Sequence, residues 1–468
     1  MAPRLGRLSS PRVLDLFSMT APRVASISDR PSRSVVEVVG NRILVYVPGT
    51  GSPWLIHSAL LSDSKGIDRN SVFEQLRGTS WGRRLFPSYS PLSPQPDQSP
   101  EDWDKPDCVG GIELFITDRC NLGCRYCLAH GKDKTSRELQ PAEILQVCEP
   151  YLRTPQRTSI TLSGGEPLLR SGAVRELIHR FRHTGRYRVG QIRLLTNLLL
   201  MDRDTADFLA KHEVIVCVSI HSEEIGNGPW WENGTFTGAL NILREAGCSD
   251  GGLIFVVDSK HELEWVCQMP LDKLRRYTGW MLVSPDLTRW PHDLVPEVAA
   301  QQLSQLRRKA TENGLRLTGW WDKPTQMILE GKTNCFAWCP GLSGGAVAIW
   351  PDGRLSRCRY LRPSQFADDG RLKRRLAEME NTGLQMPWNL VGSESLRRQA
   401  MKGCDDCWLQ SICAGCCSLT WPERAAGNDR RCRFLREVTR LLLVERARSA
   451  IVGREIREAI ALLRPELL

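Results

Sequence analysis

Residues 112–127 read IELFITDRCNLGCRYC: a strand-like run, then Cys120, Cys124 and Cys127 within eight positions. No further cysteine follows until Cys148. Tetrahedral zinc sites and complete iron–sulfur clusters take four protein ligands. Three thiols set this close together either borrow a distant fourth ligand, with His130 the nearest, or leave one metal corner open to a non-protein group.

Outward from this stretch the same pattern recurs. Strand-like runs SITLSGG (159–165), QIRLLTN (191–197), VIVCVSIH (214–221), GLIFVVD (252–258) and WMLVSP (280–285) alternate with amphipathic stretches such as AVRELIHRFRHTG and TFTGALNILREAG. Apolar strands alternating with amphipathic helices predict a parallel sheet with helices outside. Six units in about 190 residues fall short of an eight-stranded barrel. The expected fold class is therefore α/β, a partial (β/α)6 TIM-like barrel over residues 108–314. The cysteine loop follows the first strand and so sits at the C-terminal mouth, where function gathers in parallel α/β folds.

The remaining segments differ in character. Residues 1–33 are rich in Arg and Ser and poor in acids, and read as a disordered tail rather than a mitochondrial transit peptide. Residues 34–84 read as a small α+β module. SVVEVVGNRILVYVPG predicts a hairpin about Gly40-Asn41, and Ser71 with Glu74 forms a capping box for a helix that stops at Gly78. Residues 85–107, broken by Pro87, Pro91, Pro94, Pro96, Pro100 and Pro106, read as a semi-rigid linker that tethers this module without fixing it. Residues 315–440 are rich in cysteine and loops, and residues 441–468 close the chain as an amphipathic helix.

A chain of 468 residues suits two or three domains. Its net charge of +10 is spread along the chain with no dense basic block, which argues for solvated surface and against a nucleic-acid partner. No apolar run approaches the ~20 residues that span a bilayer. Seventeen cysteines without an export signal point to a cytoplasmic metal or redox protein rather than a disulfide framework. Cys108, Cys148, Cys217, Cys248 and Cys267 stand singly and read as small core residues.

The Cys-x3-Cys-x2-Cys loop, with Tyr126 before its last cysteine, is joined by SGGEP (163–167) at the end of the second strand. With these two motifs the chain resembles the radical S-adenosylmethionine (radical SAM) superfamily from about residue 110 to 300. The resemblance implies a [4Fe–4S] cluster on Cys120, Cys124 and Cys127, with SAM chelating the open iron through its amino and carboxylate groups. It assigns SAM contacts to Tyr126, Gly164, Gly165, Glu166 and Pro167. Gly164 and Gly165 let backbone approach the ligand, and the Glu166 carboxylate takes the ammonium. Ser219 in VSIHS is carried over to the ribose. The implied chemistry is reductive cleavage of SAM to methionine and a 5′-deoxyadenosyl radical, which abstracts hydrogen from the substrate. No catalytic residue beyond the cluster is assigned. Three stretches depart from the pattern: Leu198 stands where relatives carry Gly, His221 where Asp is common, and Trp230 and Trp231 where many place an Arg for the SAM carboxylate. His221 reads as a structural strand-end residue.

Cys339-x13-Gly353-x4-Cys358, then Cys404-x2-Cys407-x5-Cys413-x3-Cys417, and finally Cys432 form a second field. It resembles the SPASM domain, the auxiliary-cluster extension of many peptide-modifying radical SAM enzymes. By that resemblance Cys339, Cys358 and Cys417, completed by Cys335, hold one auxiliary [4Fe–4S] cluster, and Cys404, Cys407, Cys413 and Cys432 hold another. Cys416 is left over. The total is then three [4Fe–4S] clusters with SAM, the closed auxiliary pair serving as electron conduits fed by a flavodoxin- or ferredoxin-type reductant. Sulfatase maturases carry Asp directly after the second SPASM cysteine, where this chain has Arg359, and they lack an N-terminal appendage. The expected function is therefore a maturase that crosslinks or otherwise modifies a ribosomally made precursor peptide. Residues 34–84, in the manner of a winged-helix module, would read the peptide's leader. The alternative is maturation of a folded protein partner, of sulfatase formylglycine or quinoprotein type. A remoter alternative is a non-catalytic iron–sulfur carrier, which needs neither an open iron nor Gly-Gly-Glu.

Overall fold

Seven parallel strands lie side by side in chain order in the computed structural model of this protein. They are β4 (Gly111–Phe115), β5 (Thr158–Ser163), β6 (Val189–Thr196), β7 (Ile215–Ile220), β8 (Ser249–Val257), β9 (Trp280–Pro285) and β10 (Arg316–Thr318). The structure describes residues 35–39, 42–46, 54–57, 109–124, 126–127, 138–221, 232–286, 290–330, 345–356, 359, 407–409, 412–413 and 427–463. Helices α1 (Pro141–Leu152), α2 (Ser171–His183), α3 (Arg203–Lys211), α4 (Gly234–Glu245), α5 (Lys260–Cys267) and α6 (Pro296–Glu312) alternate with the strands. This is the α/β, mostly parallel architecture expected of a partial barrel.

Register explains which face is which. Ile112 pairs with Ile160 and Leu114 with Leu162, while Ile160 pairs with Ile192 and Leu162 with Leu194, giving aliphatic rows across β4, β5 and β6. All six side chains are buried. The alternate positions Glu113, Thr161, Cys217, Ser219, Ile254 and Ser284 are only half-buried. Successive strand residues point to opposite faces, so one face packs on the core and the other, of mixed polarity, stays partly open. Fully parallel sheets are normally covered on both faces, which marks this open face as the place for a site.

The six-unit expectation is corrected. Arg316–Thr318 pairs parallel with Trp280–Leu282 as a seventh strand, past the boundary set at residue 314. Three residues are too short a run to register as a strand, but Leu315 and Leu317 are buried and hold it in place. On the other edge β11 (Ala346–Ile349) pairs parallel with Gly111–Leu114, and β12 (Leu355–Ser356) turns back antiparallel to it. The chain after residue 315 thus returns to the very strand that carries the cysteine loop.

The N-terminal hairpin forms where expected. β1 (Val35–Val39) and β2 (Arg42–Tyr46) are antiparallel across Gly40-Asn41, with Val39 opposite Arg42, and β3 (Trp54–His57) adds a third strand. This sheet is not merely tethered, as the linker suggested. Leu44 and Tyr46 are buried in the same apolar cluster as the main sheet, and the Tyr46 ring meets Trp408 edge-on at 6.1 Å. The tail 1–33, the Ser71–Gly78 helix and the linker 85–107 lie outside the described residues. The closing helix is longer than expected, α7 running Arg430–Leu463, so Cys432 falls in its first turn. Phe434, Val438 and Leu442, one turn apart, are buried on one face. Among the described residues no helix is long and apolar enough to cross a membrane.

Candidate functional site

The cysteine loop is rooted by backbone. After β4, Ile116–Arg119 lead to Cys120, and the Gly164-Gly165 turn after β5 presses against them. The Gly165 amide donates to the Thr117 carbonyl at 2.7 Å and the Glu166 amide to that of Arg119 at 2.8 Å. A Cβ on Gly164 would stand 2.4 Å from the Thr117 oxygen, and one on Gly165 2.1 Å from the Arg119 oxygen. Gly164 also sits at φ +136°, where side chains are disfavoured. The close approach these glycines permit is therefore to the root of the cysteine loop. The surrounding side chains brace the same root: Arg170 donates to the carbonyls of Ile116 (2.9 Å) and Leu139 (3.1 Å), and the Thr117 hydroxyl donates to Glu138.

Glu166 lies 1% exposed beneath this turn. Its Oε1 accepts from the Leu168 amide (3.0 Å) and the Thr196 hydroxyl (2.8 Å), and its Oε2 from the Asn197 amide (2.8 Å). The carboxylate thus caps the short 3-10 turn Pro167–Arg170 and ties the ends of β5 and β6. Burial pushes its carboxyl above the ordinary carboxylate range, and the bonds from Asn197, Leu168 and Thr196 pull it part of the way back. An ionised carboxylate offers about four acceptor positions. Three are committed within the protein, which leaves one, on Oε2, for any ammonium. Pro167 is buried at the start of the turn.

Asn197 is a site residue that motif reading missed. Its amide is held by Glu166, and its side-chain Nδ2 donates to Asn121 Oδ1 at 2.7 Å and lies 3.9 Å from Cys120 Sγ. It therefore joins the end of β6 to the cysteine loop. Its only sequence signal is its place just past the β6 strand. The next residue, Leu198, is fully buried at φ +70°, the left-handed region that favours glycine. The departure noted in the sequence coincides with a strained backbone.

Tyr126 and His221 form the far side. Their rings lie 4.9 Å apart, and His221, 2% exposed at the end of β7, has Nε2 3.4 Å from Asp258 and 3.7 Å from Glu262. This agrees with reading His221 as a strand-end residue, and it extends that role to seating Tyr126. Ser219 is half-buried on the open face, opposite Ile254 of β8.

Cys120, Cys124 and Cys127 are all half-exposed on one loop. The single cysteines differ. Cys148 is buried, with its thiol pushed up to about 12 by burial, and Cys248 and Cys267 pack against the core. Cys217 is half-buried on the open face. In the second field Cys407, Cys413 and Cys432 are half-buried, the first two flanking the buried Trp408, Leu409 and Ile412. Arg359 pairs with Glu113 of β4 at 2.7 Å. Burial raises the Glu113 carboxyl, opposed by Arg359 and by a hydrogen bond from Ser163. Cys335, Cys339, Cys358, Cys404, Cys416 and Cys417 lie outside the described residues, as do Cys108, His130, Trp230 and Trp231.

Residues 114–257 match the family model of the Radical SAM superfamily. The chain carries a radical SAM domain. Such a domain implies SAM and a [4Fe–4S] cluster, and three half-exposed thiols on one braced loop fit a cube held at three corners. Among curated proteins the chain is similar to the GTP 3′,8-cyclase of Pseudomonas savastanoi pv. phaseolicola (strain 1448A / Race 6), 43% identical over 68 residues, covering 14% of this chain and 20% of the relative. It is also similar to the GTP 3′,8-cyclase of Paenarthrobacter nicotinovorans, 25% identical over 242 residues, covering 44% of this chain and 66% of that one. The chain thus spans only a fifth of the length of the first of these relatives. Among solved structures it resembles native anSMEcpe with bound AdoMet and Kp18Cys peptide (16% identity, 70% of this chain and 98% of that chain, TM-score 0.46). It also resembles Streptococcus suis SuiB bound to precursor peptide SuiA (12% identity, 72% and 84%, TM-score 0.41). Both structural likenesses are slight.

Proposed function

We propose that this radical SAM protein is a peptide maturase whose second cysteine field is a SPASM domain holding two auxiliary [4Fe–4S] clusters. The observation that carries this reading is the attachment of the post-barrel chain to β4. β11 pairs with β4, and Arg359, one residue after Cys358, is ion-paired to Glu113 of the same strand. Residues 346–349 and Arg359, which belong to the span between Cys339 and the residue after Cys358, thus lie beside the strand that feeds the first cysteine loop, which supports a route for electron transfer between the two fields.

In this reading Cys120, Cys124 and Cys127 hold the first cluster. Cys335, Cys339, Cys358 and Cys417 hold one auxiliary cluster, and Cys404, Cys407, Cys413 and Cys432 the other. The bound cluster and SAM supply a hydrogen-abstracting 5′-deoxyadenosyl radical. The chain's own residues supply position. Gly164, Gly165 and Asn197 fix the loop; Glu166 would offer its remaining acceptor to the SAM ammonium, Tyr126 and Ser219 would hold the cofactor, and the open sheet face would admit the substrate. A flavodoxin- or ferredoxin-type protein is the proposed reductant, and a leader-bearing precursor peptide the proposed substrate.

The test is the anaerobically reconstituted full chain. It is expected to carry about 12 irons and to cleave SAM under reduction. The Cys120→Ala/Cys124→Ala/Cys127→Ala variant is expected to lose about a third of the iron and all SAM cleavage. Co-expression with short peptides encoded beside the gene is expected to yield a peptide of altered mass. Iron content unchanged by the triple substitution would refute the cluster assignment. Turnover of GTP, or of a folded protein partner but no peptide, would refute the substrate class.

A further inference from the structure

We propose that His179, His183 and His212 form a surface site for a borderline divalent transition ion of the Zn(II) or Co(II) kind, unrelated to the cysteine chemistry. Their ligand nitrogens all lie within 4.8 Å of one another. His179 and His183 are one turn apart on α2, ring centroids 4.4 Å apart, and so share a face. His212 is the C-cap of α3, its ring 5.8 Å from His183 and 6.2 Å from His179.

Three features make this more than a chance gathering of surface imidazoles. First, His212 Nδ1 lies 2.9 Å from the Phe208 carbonyl. A carbonyl only accepts, so Nδ1 is the donor, and in the neutral ring this tautomer leaves the lone pair on Nε2, as a ligating histidine requires. The ring also packs against Phe208, tilted by 31° with centroids 4.2 Å apart, and the Arg175 guanidinium lies 5.0 Å over the Phe208 ring. Second, the helix that supplies two ligands grips the segment that supplies the third. Arg182 of α2 donates to the carbonyls of His212 (3.1 Å), Glu213 (3.2 Å) and Gly190 (3.1 Å). The spacing between ligands is thereby set before any ion arrives. Third, His183 ends α2 and His212 ends α3, so two helix carboxyl termini converge on the ion, and both favour positive charge.

The donor set decides the ion. Three imidazoles and no carboxylate suit zinc, cobalt, nickel or copper and not the oxygen-seeking magnesium or calcium. A water or small anion would complete a tetrahedron. The local cations oppose binding only in part: Arg180 is paired with Glu176 at 2.9 Å, and Arg182 is spent on carbonyls. The site is also well away from the cysteine loop. α2 begins beside the Gly164-Gly165 turn and runs back toward the start of β6, which puts its last turn at the opposite end of the strands. An ion here clasps α2 to α3 without touching the radical SAM site.

The experiment uses the iron-loaded full chain, untagged, so that the thiols are occupied. Titration with Co(II) is expected to saturate at one equivalent with visible d–d bands and without thiolate-to-cobalt charge transfer. Zn(II) is expected to displace it and to raise the melting temperature. Both exposed ligands are replaced in His179→Gln/His183→Gln, which leaves the core intact and is expected to bind at least tenfold more weakly and to show no zinc-dependent rise. Binding is expected to weaken as pH falls, because ligating imidazoles must be neutral. Equal cobalt affinity and spectrum in the double variant, or a thiolate-type spectrum in the wild type, would overturn the proposal.

Discussion

Replacing Gly165 with Ala tests the central feature of the site, the fastening of one strand's loop to the next. A Cβ at this position would meet the Arg119 oxygen at 2.1 Å and its carbonyl carbon at 2.5 Å, both backbone atoms that no rotamer change can move aside. The two segments must part by roughly 1.5 Å to reach ordinary contact. That breaks the bonds from the Gly165 amide to Thr117 (2.7 Å) and from the Glu166 amide to Arg119 (2.8 Å). Each buried donor left unpaired costs about 1–3 kcal/mol. Alanine's narrower unfolded ensemble offsets only about 0.4–1 kcal/mol. From the middle of these ranges the net expectation is about 3 kcal/mol of destabilisation, within about 2–4, concentrated at the loop root. The assay is hydrogen exchange at amides 165 and 166, where protection is expected to fall ~30- to 1,000-fold, alongside urea unfolding. Gly238→Ala in α4 is the control: nothing lies within 4 Å of its Cβ position, so it should gain about 0.5–1 kcal/mol. Wild-type protection in Gly165→Ala would refute the claim that the glycines exist to seat the cysteine loop.

Glu166→Gln concerns pH. The wild-type carboxyl titrates higher folded than unfolded, so its contribution to stability is full below its unfolded pKa and is lost as pH rises through the folded one. The urea midpoint of wild type relative to Glu166→Gln is expected to fall with rising pH across that window; a pH-independent difference would refute it. Leu198→Gly relieves a left-handed backbone by about 1–2 kcal/mol but empties a fully buried side-chain site worth about 2–5 kcal/mol, so net destabilisation is expected in equilibrium unfolding. A more stable variant would mean the strain outweighs the packing. Cys148, buried with its thiol raised to about 12, is expected to resist iodoacetamide in the native cluster-free chain while Cys120, Cys124 and Cys127 react, as read by peptide mass mapping.

Much of this was legible in the sequence because it is local. Ile112 and Leu114, or Leu194 two residues from Ile192, announce a strand by alternation, and Gly40-Asn41 announces the hairpin turn. The cysteine loop is legible for the same reason, its spacing being contained in eight residues. What was hidden depends on chain segments meeting. Gly164 and Gly165 read from sequence as a ligand-binding motif, and the fold adds a second demand on them, because Thr117 and Arg119 occupy the space a side chain would need. Asn197 has no motif because its partners, Asn121 and Glu166, come from other loops. His212 joins His179 and His183 only when α3 packs beside α2. The strand Arg316–Thr318 exists because an existing edge at β9 recruits it, not because its own residues insist.

The packing of Tyr46 carries the last prediction. A recognition module held only by a flexible linker would leave the rest of the protein indifferent to its removal. Tyr46 is 1% exposed and its ring meets Trp408, which sits between Cys407 and Cys413 in sequence. The amides of Ile412 and Cys413 both donate to the Leu409 carbonyl at 3.0 Å, so this short turn hangs on the same apolar cluster. Truncating a buried aromatic costs about 3–5 kcal/mol, of which the edge-on ring pair is about 0.5–1.5. Tyr46→Ala is therefore expected to raise hydrogen exchange at Ile412 and Cys413 while leaving Gly165 and Glu166 protected, and to lower iron bound by the second field without lowering that of Cys120, Cys124 and Cys127. If exchange at Ile412 and Cys413 is unchanged, the N-terminal sheet is a separable appendage after all. If it rises as expected, the N-terminal sheet and the segment that holds Cys407 and Cys413 share one core, and anything that displaces β1–β3 would bear directly on that segment.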